Sequence, residues 1–160
     1  GLDLHEAAKR YRALLELGDE MGVTPMVEVW GFSKNLHRLG DSMSVALESG
    51  HPKACLLPDV YHLYKGGSDV TGLGLLSGPC IPVCHMNDYP DIPRETIKDA
   101  DRVYPGEGVG PVKKVLQILA AQGGVTVLSL ELFNKTYYKQ DPSEVLKRGL
   151  ASMKEAVAGV

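Results

Sequence analysis

Apolar side chains recur along this chain at two spacings, and the alternation between them outlines the fold. Asp3 and Glu6 make a capping box ahead of Leu4, Ala7, Ala8, Tyr11, Leu14 and Leu15, a stripe at helical spacing, so the first helix is predicted to run from there to Gly22. Residues 25–30 are short, rich in β-branched and aromatic types and closed by Gly31, which predicts a strand. Leu36, Leu39, Met43 and Leu47 predict a second helix over 35–47. Residues 54–58 read as a buried strand ending at Asp59, 69–76 as a helical turn, and 82–86 as another strand. A polar stretch follows over 88–110, within which 101–104 is predicted as a further strand. Pro111 opens a helix through Val112, Val115, Leu116 and Leu119 that Gly123 and Gly124 end. Residues 125–131 form the longest strand-like run. Asp141, Pro142 and Glu144 supply an N-cap, a proline at the first helical position and a capping glutamate for a last helix, with Leu146, Leu150, Met153 and Val157 expected to face inward.

Strands alternating with helices predict a parallel α/β sheet covered by helices, each strand buried on both faces. No composition shift or linker divides the 160 residues, so 1–160 is expected to be a single domain. With 44% hydrophobic residues the chain can bury a core, and 17 basic against 20 acidic side chains leave a net charge of −3, which argues against a partner held through its phosphates. No run approaches the length needed to span a bilayer, and the start carries no signal-peptide pattern. Cys55, Cys80 and Cys84 sit among apolar residues and read as reduced core thiols of a cytoplasmic protein.

Four strand-like runs end in a residue able to bind a metal: Glu28, Asp59, His85 and Glu131. In parallel α/β folds ligands bind where the strands end, because all strands point their carboxyl ends the same way. The spacings, 31 residues from Glu28 to Asp59 and 26 from Asp59 to His85, fit one strand–helix unit per step. Taken singly, Asp59 could be a helix cap and His85 a hydrogen-bonded core residue. Glu28 and Glu131 each lie between apolar neighbours, and a buried glutamate without a partner costs several kcal/mol or becomes protonated. One divalent cation would satisfy all four groups together.

These residues, in Val27-Glu28-Val29-Trp30-Gly31, Pro58-Asp59-Val60-Tyr61-His62, His85-Met86-Asn87-Asp88 and Ser129-Leu130-Glu131-Leu132-Phe133, resemble the xylose isomerase-like TIM barrels, the sugar phosphate isomerase/epimerase group, over nearly the whole chain. The resemblance implies that Glu28, Asp59, His85 and Glu131 ligate one divalent ion, manganese, magnesium or cobalt, with zinc as an alternative. It implies that His62 and Arg102 contact the substrate, Arg102 as its anchor. Trp30 is expected to wall the pocket, with plain packing at the rim as the alternative. Glu28 and Glu131 would exchange protons with the two faces of a sugar or polyol-derived ketone through a metal-stabilised enediolate. A dehydratase of the inosose or 3-dehydroshikimate type is the second reading, and a non-catalytic half barrel the third. Because such a barrel has eight strands, the expectation is a partial (β/α) TIM barrel with parallel strands. It would correspond to about strands 4 to 8, with the N-terminal half elsewhere in a longer protein or replaced by a homo-oligomer.

The remaining motifs carry less. The run Gly106-Glu107-Gly108-Val109-Gly110 lies ahead of a helix and reads as a βα turn, with phosphate binding as the alternative. His5, His37 and His51 are expected on helices or their ends, solvated and away from the site.

Overall fold

The computed structural model describes residues 1–124 and 126–160. Helix α1 (Leu4–Met21) starts as expected: the Asp3 carboxylate accepts from the backbone N–H groups of His5 and Glu6, and Gly22 ends the helix at φ 70°, in the left-handed region. Its buried face is Ala8, Tyr11, Leu15 and Gly18, and the Tyr11 hydroxyl donates to the carbonyls of Pro25 and Cys55, tying the helix to the two strands behind it. Leu14, expected in the stripe, is exposed.

Strand β1 (Val27–Glu28) pairs in parallel with β2 (Leu56–Leu57), Val27 opposite Leu56. Between them α2 spans Leu39–Glu48 and begins four residues later than expected. The Ser33 hydroxyl takes the N–H groups of Asn35 and Leu36 into a local turn, and the Ser68 hydroxyl accepts from Leu39, so the first helical turn is capped by a residue distant in sequence. Helix α3 (Val60–Gly66) follows β2 directly. Two short 3-10 turns, Val70–Leu75 and Gly78–Cys80, lead to β3 (Val83–Met86), which pairs in parallel with β4 (Val127–Leu130) after helix α4 (Val112–Ala121). A parallel bridge between Asp59 and His85, with the His85 N–H donating to the Pro58 carbonyl at 2.9 Å, joins the two pairs in the order β1-β2-β3-β4. Helix α5 (Pro142–Ala158) closes the chain, capped by Asp141.

Three expectations are corrected. Residues 101–104 are not a strand: Asp99–Asp101 form a 3-10 turn, and Val103 makes one antiparallel bridge to Asp88. Arg102 is buried there by charge pairing rather than by a sheet. Strand β4 is not covered on both faces, since Val127 is exposed; Val125, within the expected strand, lies outside the described residues. On α5, Leu146, Leu150 and Val157 are 70%, 57% and 48% exposed instead of inward. That helix seats through Gly149, whose missing side chain leaves room for Leu130, and through Met153 and Ala156, so its larger apolar residues fall on a different face. The three cysteines are free, with Cys55 and Cys84 buried.

Candidate metal centre

The order of the strands brings four side chains to one place. Nδ1 of His85, on β3, lies 3.4 Å from Glu131 Oε2, 3.6 Å from Glu28 Oε1 and 3.7 Å from Asp59 Oδ2. This nitrogen is buried and, among the described residues, has no hydrogen-bond partner. Outer strands of a flat four-strand sheet stand roughly 14 Å apart. Oxygens of Glu28, on β1, and of Glu131, just past β4, nevertheless lie within 4.8 Å of each other, so these two long side chains meet over the ends of the strands between them.

Asp59 carries two roles at once. Its Oδ1 accepts from the His62 N–H at 2.8 Å and caps α3, while Oδ2 faces the cluster. The cap and the ligand-like carboxylate are the same side chain. Oδ2 is held by Asn87 Nδ2 at 2.9 Å and Arg102 Nη1 at 3.2 Å. Asn87 is fixed in turn, because its Oδ1 accepts from the Tyr61 N–H at 2.8 Å. Arg102 Nη1 also donates to Glu131 Oε2 at 2.8 Å, and its Nη2 reaches Asp99 Oδ1 at 2.5 Å and His62 Nε2 at 2.8 Å. A guanidinium only donates, so Nε2 of His62 accepts and its proton sits on Nδ1.

Electrostatics follow from this crowding. The carboxylates of Glu131 and Glu28 raise the His85 pKa to about 10, and His85 with Arg102 lowers that of Glu131 to about 2. Burial lifts Asp59 to about 6 although Arg102 pulls against it. Burial, reinforced by Arg102, pushes His62 down to about 3, so it is neutral. Burial works against the Arg102 charge, but Asp59, Glu131 and Asp99 outweigh it and hold its pKa up. Three carboxylates gathered around an unpartnered imidazole nitrogen call for a cation, and the donors present, three carboxylates and one imidazole, fit a divalent one.

Each residue singled out from the sequence can now be placed. Glu28, Asp59, His85 and Glu131 converge; Trp30 is exposed beside them, its ring 6.4 Å from that of His62 and edge-on to it. His62 and Arg102, expected at the substrate, are buried against the cluster with 2% and 0% exposure, and a ring nitrogen of His62 lies within 4.8 Å of oxygens of Glu28 and Glu131. Asn87, Asp99 and Asp88 acquire partners that the sequence did not assign to them. Asp88 answers the question of the glycine-rich run: its carboxylate accepts from the N–H groups of Gly106, Gly108 and Gly110 and from Tyr89. Those donors are spent on a side chain of the chain itself, so the loop is not a phosphate cradle. His51 is mostly buried, its ring 3.4 Å from Asp19, and Nδ1 of His37 is buried, so neither is freely solvated.

Residues 3–156 match the model of the xylose isomerase-like TIM barrel family, and the chain belongs to that family. Among curated proteins it is similar to the inosose isomerase of Halalkalibacterium halodurans, 28% identical over 146 residues, which are 91% of this chain and 52% of that protein. The chain thus spans about half the length of the curated relatives it matches. Two solved structures share its fold. One is an IolI protein with a binding zinc atom (TM-score 0.92, 23% identity, 99% of this chain and 59% of that one). The other is an L-ribulose 3-epimerase (TM-score 0.78, 18% identity, 98% and 54%).

Proposed function

We propose that this chain carries the metal-centred active site of an isomerase or epimerase acting on keto sugars or polyol-derived ketones. The observation that carries the reading is the buried, unpartnered Nδ1 of His85 with oxygens of Glu28, Asp59 and Glu131 within 3.7 Å of it. These four groups would hold one divalent ion, and the mixed oxygen and nitrogen set suits manganese, magnesium or cobalt, with zinc also accommodated. Bound there, such an ion supplies Lewis-acid stabilisation for the charge that develops when a proton leaves the carbon beside a carbonyl. Glu28 and Glu131 come from opposite ends of the strand order, so their carboxylates approach a substrate from two sides and can accept and return a proton on different faces. Exposed Trp30 offers an apolar wall for a ring or chain of C–H groups.

The strands present would be one arc of a barrel. Apolar side chains stand exposed at both flanks, Leu14, Leu17 and Met21 on α1 and Leu146, Leu150 and Val157 on α5. A cleft of about 370 Å³ runs beside β1, lined in part by Tyr11, Leu14, Met26 and Trp30. Further barrel strands, from the rest of a longer protein or from another copy, would cover these surfaces.

The test is metal analysis before and after chelation, followed by incubation with ketoses and inososes in deuterated water. Solvent deuterium in recovered substrate, dependent on added metal and without loss of water, supports isomerisation. An α,β-unsaturated product points to a dehydratase. Failure of the whole protein to bind any divalent ion removes the proposal.

A further inference from the structure

We infer that Tyr137 is a positioning residue: its ring, stacked on Tyr104, pins the loop that follows Glu131 and fixes the rim of the site on which Phe133 stands. The inference rests on the reading above that the strand-end cluster is an active site, and it adds what holds one wall of it. Residues 132–140 join β4 to the Asp141 cap of α5 through irregular backbone and a short 3-10 turn, Tyr137–Lys139. A connection of this kind moves unless side chains tie it down. It starts at the cluster: the Phe133 ring is 43% exposed, and its centre lies 5.1 Å from the guanidinium carbon of Arg102.

The loop first folds on itself. The Asn134 carbonyl accepts from the N–H groups of Tyr137 and Tyr138, the Asn134 side-chain oxygen accepts from the N–H and hydroxyl of Thr136, and the Tyr138 hydroxyl donates to the Leu132 carbonyl. Residues 132–138 therefore move as one unit. Two contacts then fasten that unit to the body of the protein. Asn134 Nδ2 donates to the Arg102 carbonyl at 3.0 Å, and the Tyr137 ring stacks on Tyr104 with centres 4.5 Å apart and planes 24° apart. Tyr104 is a firm platform, being 0% exposed with its hydroxyl donating to the Val145 carbonyl of α5 at 3.3 Å. The Arg148 guanidinium carbon lies 4.7 Å from the Tyr104 ring centre and 6.0 Å from that of Tyr137, and Arg148 is itself held by Glu107 at 2.6 Å. That ion pair is half-exposed and contributes little alone, so the stacked rings are the stronger fastening. With the Tyr137 ring gone, one part-buried hydrogen bond remains, and a unit held at one point turns about it.

The experiment compares the full-length wild type with Tyr137→Ala, Tyr137→Leu and Tyr137→Phe by native trypsin cleavage, Mn²⁺ titration and steady-state kinetics on ketoses and inososes. Lys135 and Lys139 are exposed and place two trypsin sites in the pinned segment. Loss of the ring is expected to speed cleavage there at least ~5-fold and to raise KM at least ~5-fold, with kcat within about 3-fold of wild type. Mn²⁺ affinity should stay within about 3-fold, since the Glu131 N–H donates to the Met86 carbonyl at 3.1 Å and is held by the sheet rather than by the loop. Tyr137→Phe keeps the ring face and should match wild type in all three measurements. Unchanged cleavage in Tyr137→Ala overturns the pin, and a loosened loop with unchanged KM overturns the positioning role. Mn²⁺ affinity that falls in step with KM also overturns it, because that marks a general loss of structure. Should Tyr137→Ala not fold, Tyr137→Leu, which fills the volume without a stacking face, decides. Wild-type protein that binds no Mn²⁺, or turns over neither class of ketone, overturns the active-site reading itself, a result seen before any variant is made.

Discussion

Single residues at this site do more than one job, and their substitutions separate those jobs. Glu131 follows β4 and bonds Arg102 while facing His85. Glu131→Gln preserves shape, so the fold is expected to survive, while metal affinity falls and turnover drops at least ~10²-fold, the scale of losing a general base. Steady-state kinetics beside metal titration check this, and a fully active Glu131→Gln protein would remove Glu131 from the proton transfer. For His85, raised from 6.5 to about 10 by Glu131 and Glu28, the linkage has a definite sign. Its pairing stabilises the metal-free fold fully below 6.5 and is lost as pH rises through about 10. In the presence of a chelator, melting temperature should therefore fall between pH 7 and about 9, with a smaller slope in His85→Gln. Glu131, lowered from 4.5 to about 2, contributes stability that is full above 4.5 and is lost as pH falls from there through about 2, and Asp59, raised to about 6 by burial, opposes it by favouring the fold as it protonates. A metal ligand must be deprotonated, so manganese binding at pH 7 should release about one proton, measurable by calorimetry in buffers of different ionisation enthalpy.

At the scale of elements, short strands are supported by side-chain anchors. The loop from Pro105 to Gly110 has no regular structure of its own, and Asp88 gathers three of its N–H groups. Asp88 also pairs through its backbone with Val103, next to Arg102. Replacing it with alanine leaves the buried Tyr89 N–H and three part-buried glycine N–H groups without their acceptor, so Asp88→Ala should cost about 2–4 kcal/mol in denaturant unfolding. The loss should extend to metal affinity, because residues 102 and 87 are held by the same neighbourhood. An effect under about 0.5 kcal/mol, the size of an ordinary surface change, would show that the loop stands without its clamp.

For the whole molecule, the exposed apolar flanks on α1 and α5 set the expectation. The 17.3 kDa chain alone should associate, seen as a larger species in sedimentation, and Leu146→Lys with Leu150→Lys should shift it toward monomer with little loss of secondary structure. A stable monomer at high concentration would count against a barrel arc that needs covering.

Much of this organisation is legible along the chain. Caps at Asp3 and Asp141 and the stop at Gly22 are local patterns, because a side chain that caps or ends an element does so through neighbours within a few residues. Glu28, Asp59, His85 and Glu131 stand out along the chain as ligating types at the ends of apolar runs, but the parallel pairing that gathers them is long-range. Burial against distant elements is another matter. The 101–104 run, short and bounded by prolines, is expected to be a strand, yet Arg102 is buried by Asp59, Glu131 and Asp99, two of them 43 and 29 residues away. The start of α2 waits on Ser68, the glycine loop on Asp88, and the face of α5 on where Gly149 meets Leu130. Periodicity tells which residues share a face, because backbone geometry repeats every few residues. Which face is covered, and which charge meets which, depends on partners that only the folded chain brings together.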